Sequence, residues 1–177
     1  MNTANKLTMT RVILIPAFLT VLYIGFDGSN YVAMGIFIAA GVTDIADGYI
    51  ARHRNQITNF GKLMDPLADK ILVLAAMLWF LERGILPAWV VLIVVVREFM
   101  VTALRLIAVD NGRVVAAGIS GKIKTVVTMV CLSAMFVELY WWVIPTCVAA
   151  ISITTVVSGI EYIVRNRDIL NFSKTGM

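Results

Sequence analysis

Residues 31–81 read YVAMGIFIAAGVTDIADGYIARHRNQITNFGKLMDPLADKILVLAAMLWFL. Two apolar runs, Tyr31 to Val42 and Ile71 to Leu81, flank a segment that holds Asp44, Asp47, Asp65 and Asp69 together with Gly48 and Gly61. An apolar run that leads into carboxylates, turns and becomes apolar again is the pattern of two membrane-spanning helices whose junction meets water at one face. Further runs follow the same style on either side: Val12 to Phe26, Ile85 to Val109, Ile123 to Val137 and Trp141 to Ile163. A spanning helix takes about 20 residues, so the chain accommodates roughly six spans with short connections.

Composition agrees. The chain has 177 residues, of which 60% are hydrophobic and 15% charged, with a mean hydropathy of +0.88. That balance excludes an ordinary soluble domain. The expected fold is all-α: a polytopic membrane protein of six transmembrane helices, one domain over residues 1–177. Met1 to Thr10 is polar and somewhat amphipathic, which predicts a short N-terminal interfacial helix. No signal-peptide cleavage pattern precedes a soluble region, so the first run reads as a retained span. Cys131 and Cys147 lie inside apolar runs without metal-ligand spacing and read as small buried hydrophobes.

Lys and Arg near span ends stay on the cytoplasmic side. With a cytoplasmic N-terminus, six spans put Lys6, Arg11, Arg52, Arg54, Lys62, Arg113, Lys122, Lys124, Arg165, Arg167 and Lys174 there, and leave Arg83 in an outer connection. The net charge of +4 is then an orientation signal and an attraction for anionic lipid headgroups; nothing in it argues for nucleic acid.

On a helix, Asp44 and Asp47 (i, i+3) point within about 60° of each other, and Asp65 and Asp69 (i, i+4) within about 40°. Two helix ends joined by a short loop thus aim two carboxylate pairs at one small volume. Four such groups near a low-dielectric phase require compensating cations. An all-oxygen set suits Mg²⁺ or Mn²⁺, and a carboxylate-held metal pair suits in-line displacement at phosphorus. Gly48 and Gly61 permit close backbone approach of a bulky phosphorylated ligand, and Arg52 and Lys62 add positive charge beside it. Any one aspartate alone reads as a solvated helix end. A cation transporter is the alternative function for the four together, although transport sites lie nearer the midplane than this cluster does.

The order Asp44, two residues, Asp47-Gly48, two residues, Ala51-Arg52, eight residues, Gly61, three residues, Asp65, three residues, Asp69 resembles the complete signature of the CDP-alcohol phosphotransferases, with every position filled. The resemblance implies a six-helix membrane enzyme, often a homodimer, that moves a phosphatidyl or related group from a CDP-linked donor to an alcohol and releases CMP. It implies two Mg²⁺ or Mn²⁺ ions on Asp44, Asp47, Asp65 and Asp69, with Asp69 as general base, and places Asp47, Gly48, Ala51, Arg52 and Gly61 around the CDP moiety.

Outside the signature, NKLTMTRVILIP (Asn5 to Pro16), REFMVTALRLIA (Arg97 to Ala108), GKIKT (Gly121 to Thr125) and SGIEY (Ser158 to Tyr162) look like the bacterial phosphatidylglycerophosphate synthases. That resemblance implies CDP-diacylglycerol as donor, glycerol 3-phosphate as acceptor and a bacterial inner membrane with the active site facing the cytoplasm; within the family, another alcohol such as inositol phosphate or serine is the alternative acceptor. An acceptor with about two negative charges needs fixed cations. Arg105, Lys122 and Lys124 are the candidates, with Arg11 a weaker one; plain positive-inside anchoring competes for each lysine. Arg97 and Glu98 sit deeper, where ions need partners. Adjacent helical residues diverge by about 100°, which argues against their pairing with each other and makes Lys70 the candidate partner for Glu98, in a structural role. His53 reads as solvated, and Trp79, Trp89, Trp141 and Trp142 as interfacial anchors at the outer ends.

Overall fold

In the computed structural model, the backbone is described for residues 3–54, 59–110, 118–137 and 141–167, and the side chains for residues 13–43, 70–109, 118–137 and 141–167. Among the described residues six helices follow one another: α1 (Thr3–Ile24), α2 (Ser29–Arg54), α3 (Asn59–Glu82), α4 (Ala88–Asp110), α5 (Ile119–Met135) and α6 (Val143–Arg165). No strand occurs among the described residues. The separate N-terminal interfacial helix expected from sequence is instead the beginning of α1, whose helical backbone runs without a break from Thr3 through Pro16 to Ile24.

The connections explain where the helices stop. Gly25 takes a φ of 67°, a left-handed conformation that ends α1, and its N–H returns to the Val21 carbonyl. Gly84, at a φ of 70°, does the same after α3. Short turns of this kind make neighbours antiparallel, and side-chain contacts give the register. Lys70 of α3 meets Thr102 of α4, while Glu98 of α4 meets Lys124 of α5, so α4 runs against both. Arg97 meets Ser158, and Arg105 approaches Tyr162, so α4 and α6 run the same way. Phe37 meets Phe136, and Gly41 faces Met129, so α2 and α5 are antiparallel. The chain therefore alternates in direction, and the starts of α3 and α5 share one end of the bundle with the finishes of α2, α4 and α6.

The core lies toward the opposite end. Phe18, Phe37, Phe80 and Phe136 are almost fully buried and form one aromatic cluster, with Phe80 and Phe136 rings 4.6 Å apart and Phe18 edge-on to Phe136 at 5.8 Å. Ala33, Ala40, Ala75 and Ala76 are buried around it, and small residues let helices approach closely. Gly41 is needed for this: a Cβ there would lie 1.8 Å from the Met129 methyl, so the tip of Met129 occupies the space.

The exterior is apolar. Along α4 the outward stripe is Trp89, Leu92, Val96, Phe99 and Leu106, each at least half exposed. α6 presents Ile153, Val157, Ile160 and Val164 in the same manner. Among the described residues, α6 is long and apolar enough to cross a membrane, and Ile13–Ile24 and Ser29–Thr43 are shorter apolar stretches.

Candidate active site

The signature divides between two successive helices. α2 carries Asp44, Asp47, Gly48, Ala51 and Arg52, and α3 carries Gly61, Asp65 and Asp69; their side chains, and those of Arg11 and His53, lie outside the described ones. Among the described side chains no group of three or more His, Cys, Asp or Glu comes together. The backbone still locates the two signature segments. Beyond Gly41, α2 continues past Met129 toward the end at which α5 begins. At 1.5 Å per residue, Asp44 to Arg52 covers about 12 Å of that approach. On α3, Asp69 immediately precedes Lys70, whose Nζ donates to Thr102 Oγ1 of α4 at 2.6 Å. The α3 segment thus adjoins this polar contact, and the α2 segment runs toward the same end of the bundle.

That region centres on Glu98. Lys124 Nζ and Arg97 Nη1 each donate to Glu98 Oε1 at 2.9 Å, and Lys70 Nζ stands 3.8 Å from Oε2. The expected Lys70–Glu98 pair is present. The expectation that Arg97 and Glu98 do not pair is overturned. The 100° between their Cα–Cβ directions is spanned by a long guanidinium arm, and neighbouring helices turn both side chains the same way. Arg97 Nε donates to Ser158 Oγ of α6 at 3.2 Å, and Lys124 reaches Glu98 from α5.

Arg97 lies in a channel walled by glycine. A Cβ on Gly121 would come 3.2 Å from Arg97 Nη2, and one on Gly159 would come 3.4 Å from Arg97 Cγ. Gly121, Ser158 and Gly159 therefore have a defined task that sequence reasoning did not assign to them. Their small size in the otherwise bulky segments GKIKT and SGIEY was the available signal.

The acceptor candidates separate by orientation. Lys122 and Arg105 are exposed, Arg105 with its guanidinium carbon 5.9 Å from the Tyr162 ring centre. Lys124 points inward and is 4% exposed, its ammonium occupied by Glu98. Cys131 and Cys147 are buried free thiols, as expected. The tryptophans divide: Trp89, Trp141 and Trp142 are exposed near the starts of α4 and α6, whereas Trp79 is buried, edge-on to Tyr23 at 5.1 Å and covered by Arg83 at 4.3 Å. Trp79 is thus a packing residue rather than an exposed anchor; Tyr23 also donates to Glu82 Oε2 at 2.6 Å and holds α1 on α3.

Two helices with an aspartate signature, beside a cation-rich polar centre in an all-helical bundle with an apolar exterior, define a class. Residues 1–160 match the CDP-alcohol phosphatidyltransferase family, and the chain belongs to it. Among curated proteins it is 39% identical to the CDP-diacylglycerol–glycerol-3-phosphate 3-phosphatidyltransferase of Bacillus subtilis, over 97% of this chain and 98% of that one. It is 36% identical to a probable phosphatidylglycerophosphate synthase of Mycobacterium tuberculosis, over 98% of this chain and 86% of that one. It is 38% identical to the Escherichia coli K12 CDP-diacylglycerol–glycerol-3-phosphate 3-phosphatidyltransferase, over 80% of each chain.

Proposed function

We propose that this protein transfers the phosphatidyl group of CDP-diacylglycerol to glycerol 3-phosphate, giving phosphatidylglycerophosphate and CMP. The observation that carries the reading is the near full-length similarity to the Bacillus subtilis protein of that name, with the whole aspartate signature present on α2 and α3. The apolar outward stripes of α4 and α6 support a multi-pass membrane protein, with all six helices as spans. The basic residues at the end shared by α2 and α3 support an active site facing the cytoplasm, in a bacterial inner membrane. A homodimer is part of the same reading.

Four carboxylates at i, i+3 and i, i+4 spacing on successive helices form an all-oxygen donor set that fits small divalent ions. Asp44, Asp47, Asp65 and Asp69 would hold two of them, Mg²⁺ or Mn²⁺, whose chemistry there is to neutralise the diphosphate and stabilise the departing oxygen. Asp47, Gly48, Ala51, Arg52 and Gly61 receive the cytidine diphosphate, while the acyl chains remain in lipid. Arg105 and Lys122, both exposed, are the direct holders of the acceptor phosphate. Arg11 is a further candidate, and Lys124, bound to Glu98, adds its charge from beneath. Asp69 takes the proton of the acceptor's 1-hydroxyl. The oxygen then bonds to the lipid-bearing phosphorus as the bond to the CMP phosphate breaks.

The test is CMP release by purified protein in detergent with Mg²⁺ or Mn²⁺. Release that requires both CDP-diacylglycerol and glycerol 3-phosphate, and that stops with chelator or with Asp65→Asn, is the expected result. Release with serine or inositol phosphate in its place refutes the acceptor. No release with any alcohol, alongside metal flux into liposomes, would make the aspartates a transport path.

A further inference from the structure

A cavity of about 230 Å³ lies between α3, α4 and α5. Its ends differ in chemistry. At the end nearer the signature it is lined by Lys70, Glu98 and Lys124; deeper in, by Leu74, Met77 and Val94. The gradient follows the helix directions, because Lys70 to Met77, Glu98 to Val94 and Lys124 to Thr128 all run away from the polar end. Phe99, 72% exposed, stands at the edge of the cavity and belongs also to the apolar exterior, so the cavity borders the surface that meets lipid.

Two observations select an occupant. The first is the cationic lining: Lys70 and Lys124 both line the cavity, and with Arg97 they converge on the single carboxylate of Glu98 among the described side chains. The second is Thr128, which lines the cavity, is 1% exposed and has no hydrogen-bond partner for Oγ1. A helical threonine ordinarily satisfies its hydroxyl on the carbonyl four residues back. Thr102 and Thr125, in the same wall, do so on Glu98 and Gly121. A buried hydroxyl without a partner costs about 1–3 kcal/mol, which a ligand atom would relieve.

We propose that this cavity binds one chain of an anionic glycerophospholipid. The phosphate lies against Lys70 and Lys124, Thr128 donates to the ester carbonyl, and the first part of the acyl chain fills the space among Leu74, Met77 and Val94. Lys124 and Thr128 are one turn apart, about 6 Å along the axis, which is the scale of the glycerol link between a phosphate and an ester. A cavity of this volume takes a run of several methylenes, so the rest of the chain passes Phe99 into the bilayer. The site rests on the membrane reading of the exterior and needs neither metal nor turnover.

The test uses purified full-length protein in detergent with chelator present. The probe is a phosphatidylglycerol that carries a diazirine near the carbonyl end of one acyl chain, and labelled peptides are mapped by mass spectrometry. Label concentrated at residues 71–77, 94–99 and 125–128 is expected. Unlabelled phosphatidylglycerol should displace it at a concentration at least tenfold below phosphatidylcholine, and Thr128→Val, which keeps the shape, should cut labelling several-fold. Label spread evenly over the exterior, equal displacement by phosphatidylcholine, or an unchanged Thr128→Val variant would each overturn the proposal. CDP-diacylglycerol as competitor identifies the source. Stronger displacement than by phosphatidylglycerol means that the chain is the donor's, and equal displacement means a resident lipid; both sustain the site. Normal CMP release from a protein that fails the labelling test would sink this proposal alone, and labelling of a protein that releases no CMP would sink only the transferase reading.

Discussion

Replacing Glu98 by Gln removes one negative charge from beneath three cations while keeping the side-chain shape. In the native protein Glu98 accepts from Lys124 and Arg97 at 2.9 Å, and these side chains are only 5% and 11% exposed. The amide can still accept a hydrogen bond but cannot offset the charge. Removing one partner of a buried ion pair costs about 3–5 kcal/mol, because the remaining ion stays desolvated. Glu98 itself is 23% exposed and Lys70 is 35% exposed, so water relieves part of the loss and the lower value applies. The expected destabilisation is about 3 kcal/mol, or roughly 6–12 °C in Tm for a chain of this size. Cys131 and Cys147 are buried, so a thiol-reactive fluorophore reads unfolding in detergent directly. Adding Lys124→Met to Glu98→Gln removes the most buried of the stranded charges and should recover more than 1 kcal/mol of the loss. A Glu98→Gln protein that melts within 2 °C of the native one, or a double variant no better than the single, would refute the argument that this carboxylate neutralises the cluster.

Phe136→Ala removes the ring that touches Phe18, Phe37 and Phe80 and should cost about 3–5 kcal/mol in the same thiol assay, with no change in the acceptor KM of the folded fraction. Arg105→Ala should raise the KM for glycerol 3-phosphate about tenfold or more and leave that for CDP-diacylglycerol nearly unchanged, since a charge-assisted hydrogen bond is worth about 1.5–3 kcal/mol; equal effects on both substrates would remove Arg105 from the acceptor site. Asp69→Asn should abolish CMP release while nucleotide binding, followed by calorimetry, stays largely intact. Gly121→Ala should press on Arg97 Nη2 and lower Tm by a few degrees, whereas Gly84→Ala, with open space around it, should act only through the strain of its left-handed backbone.

The helices were legible because each apolar run is bounded by polar residues or by glycine, and the backbone hydrogen-bonding demand of an apolar phase leaves the helix as the economical form for such runs. The aspartate signature was legible for a different reason. Its spacings lie within α2 and α3, so i, i+3 and i, i+4 relations follow from helix geometry before any helix packs on another. The polar Thr3–Thr10 segment is helical and continuous with the apolar part of α1, since polarity alone does not interrupt helical backbone.

What depends on neighbours was out of reach. Lys122 and Lys124 are two positions apart, and helix geometry says only that they face different ways; the presence of Glu98 across from α5 decides that Lys124 is the one turned inward. Trp79 looks like Trp89 in sequence, yet Tyr23 and Arg83 enclose the first while the second stays exposed. Arg97 pairs with its own neighbour because Ser158 and two glycines from α5 and α6 shape a channel around it. By itself, then, the sequence determined the helical class, the alternation of polar and apolar ends and the local spacing of the aspartates, all properties of a single helix or a short loop. Only the tertiary structure decided which charges are buried together and where a cavity remains, because those depend on the registers between helices, to which residues far apart in the chain contribute at once.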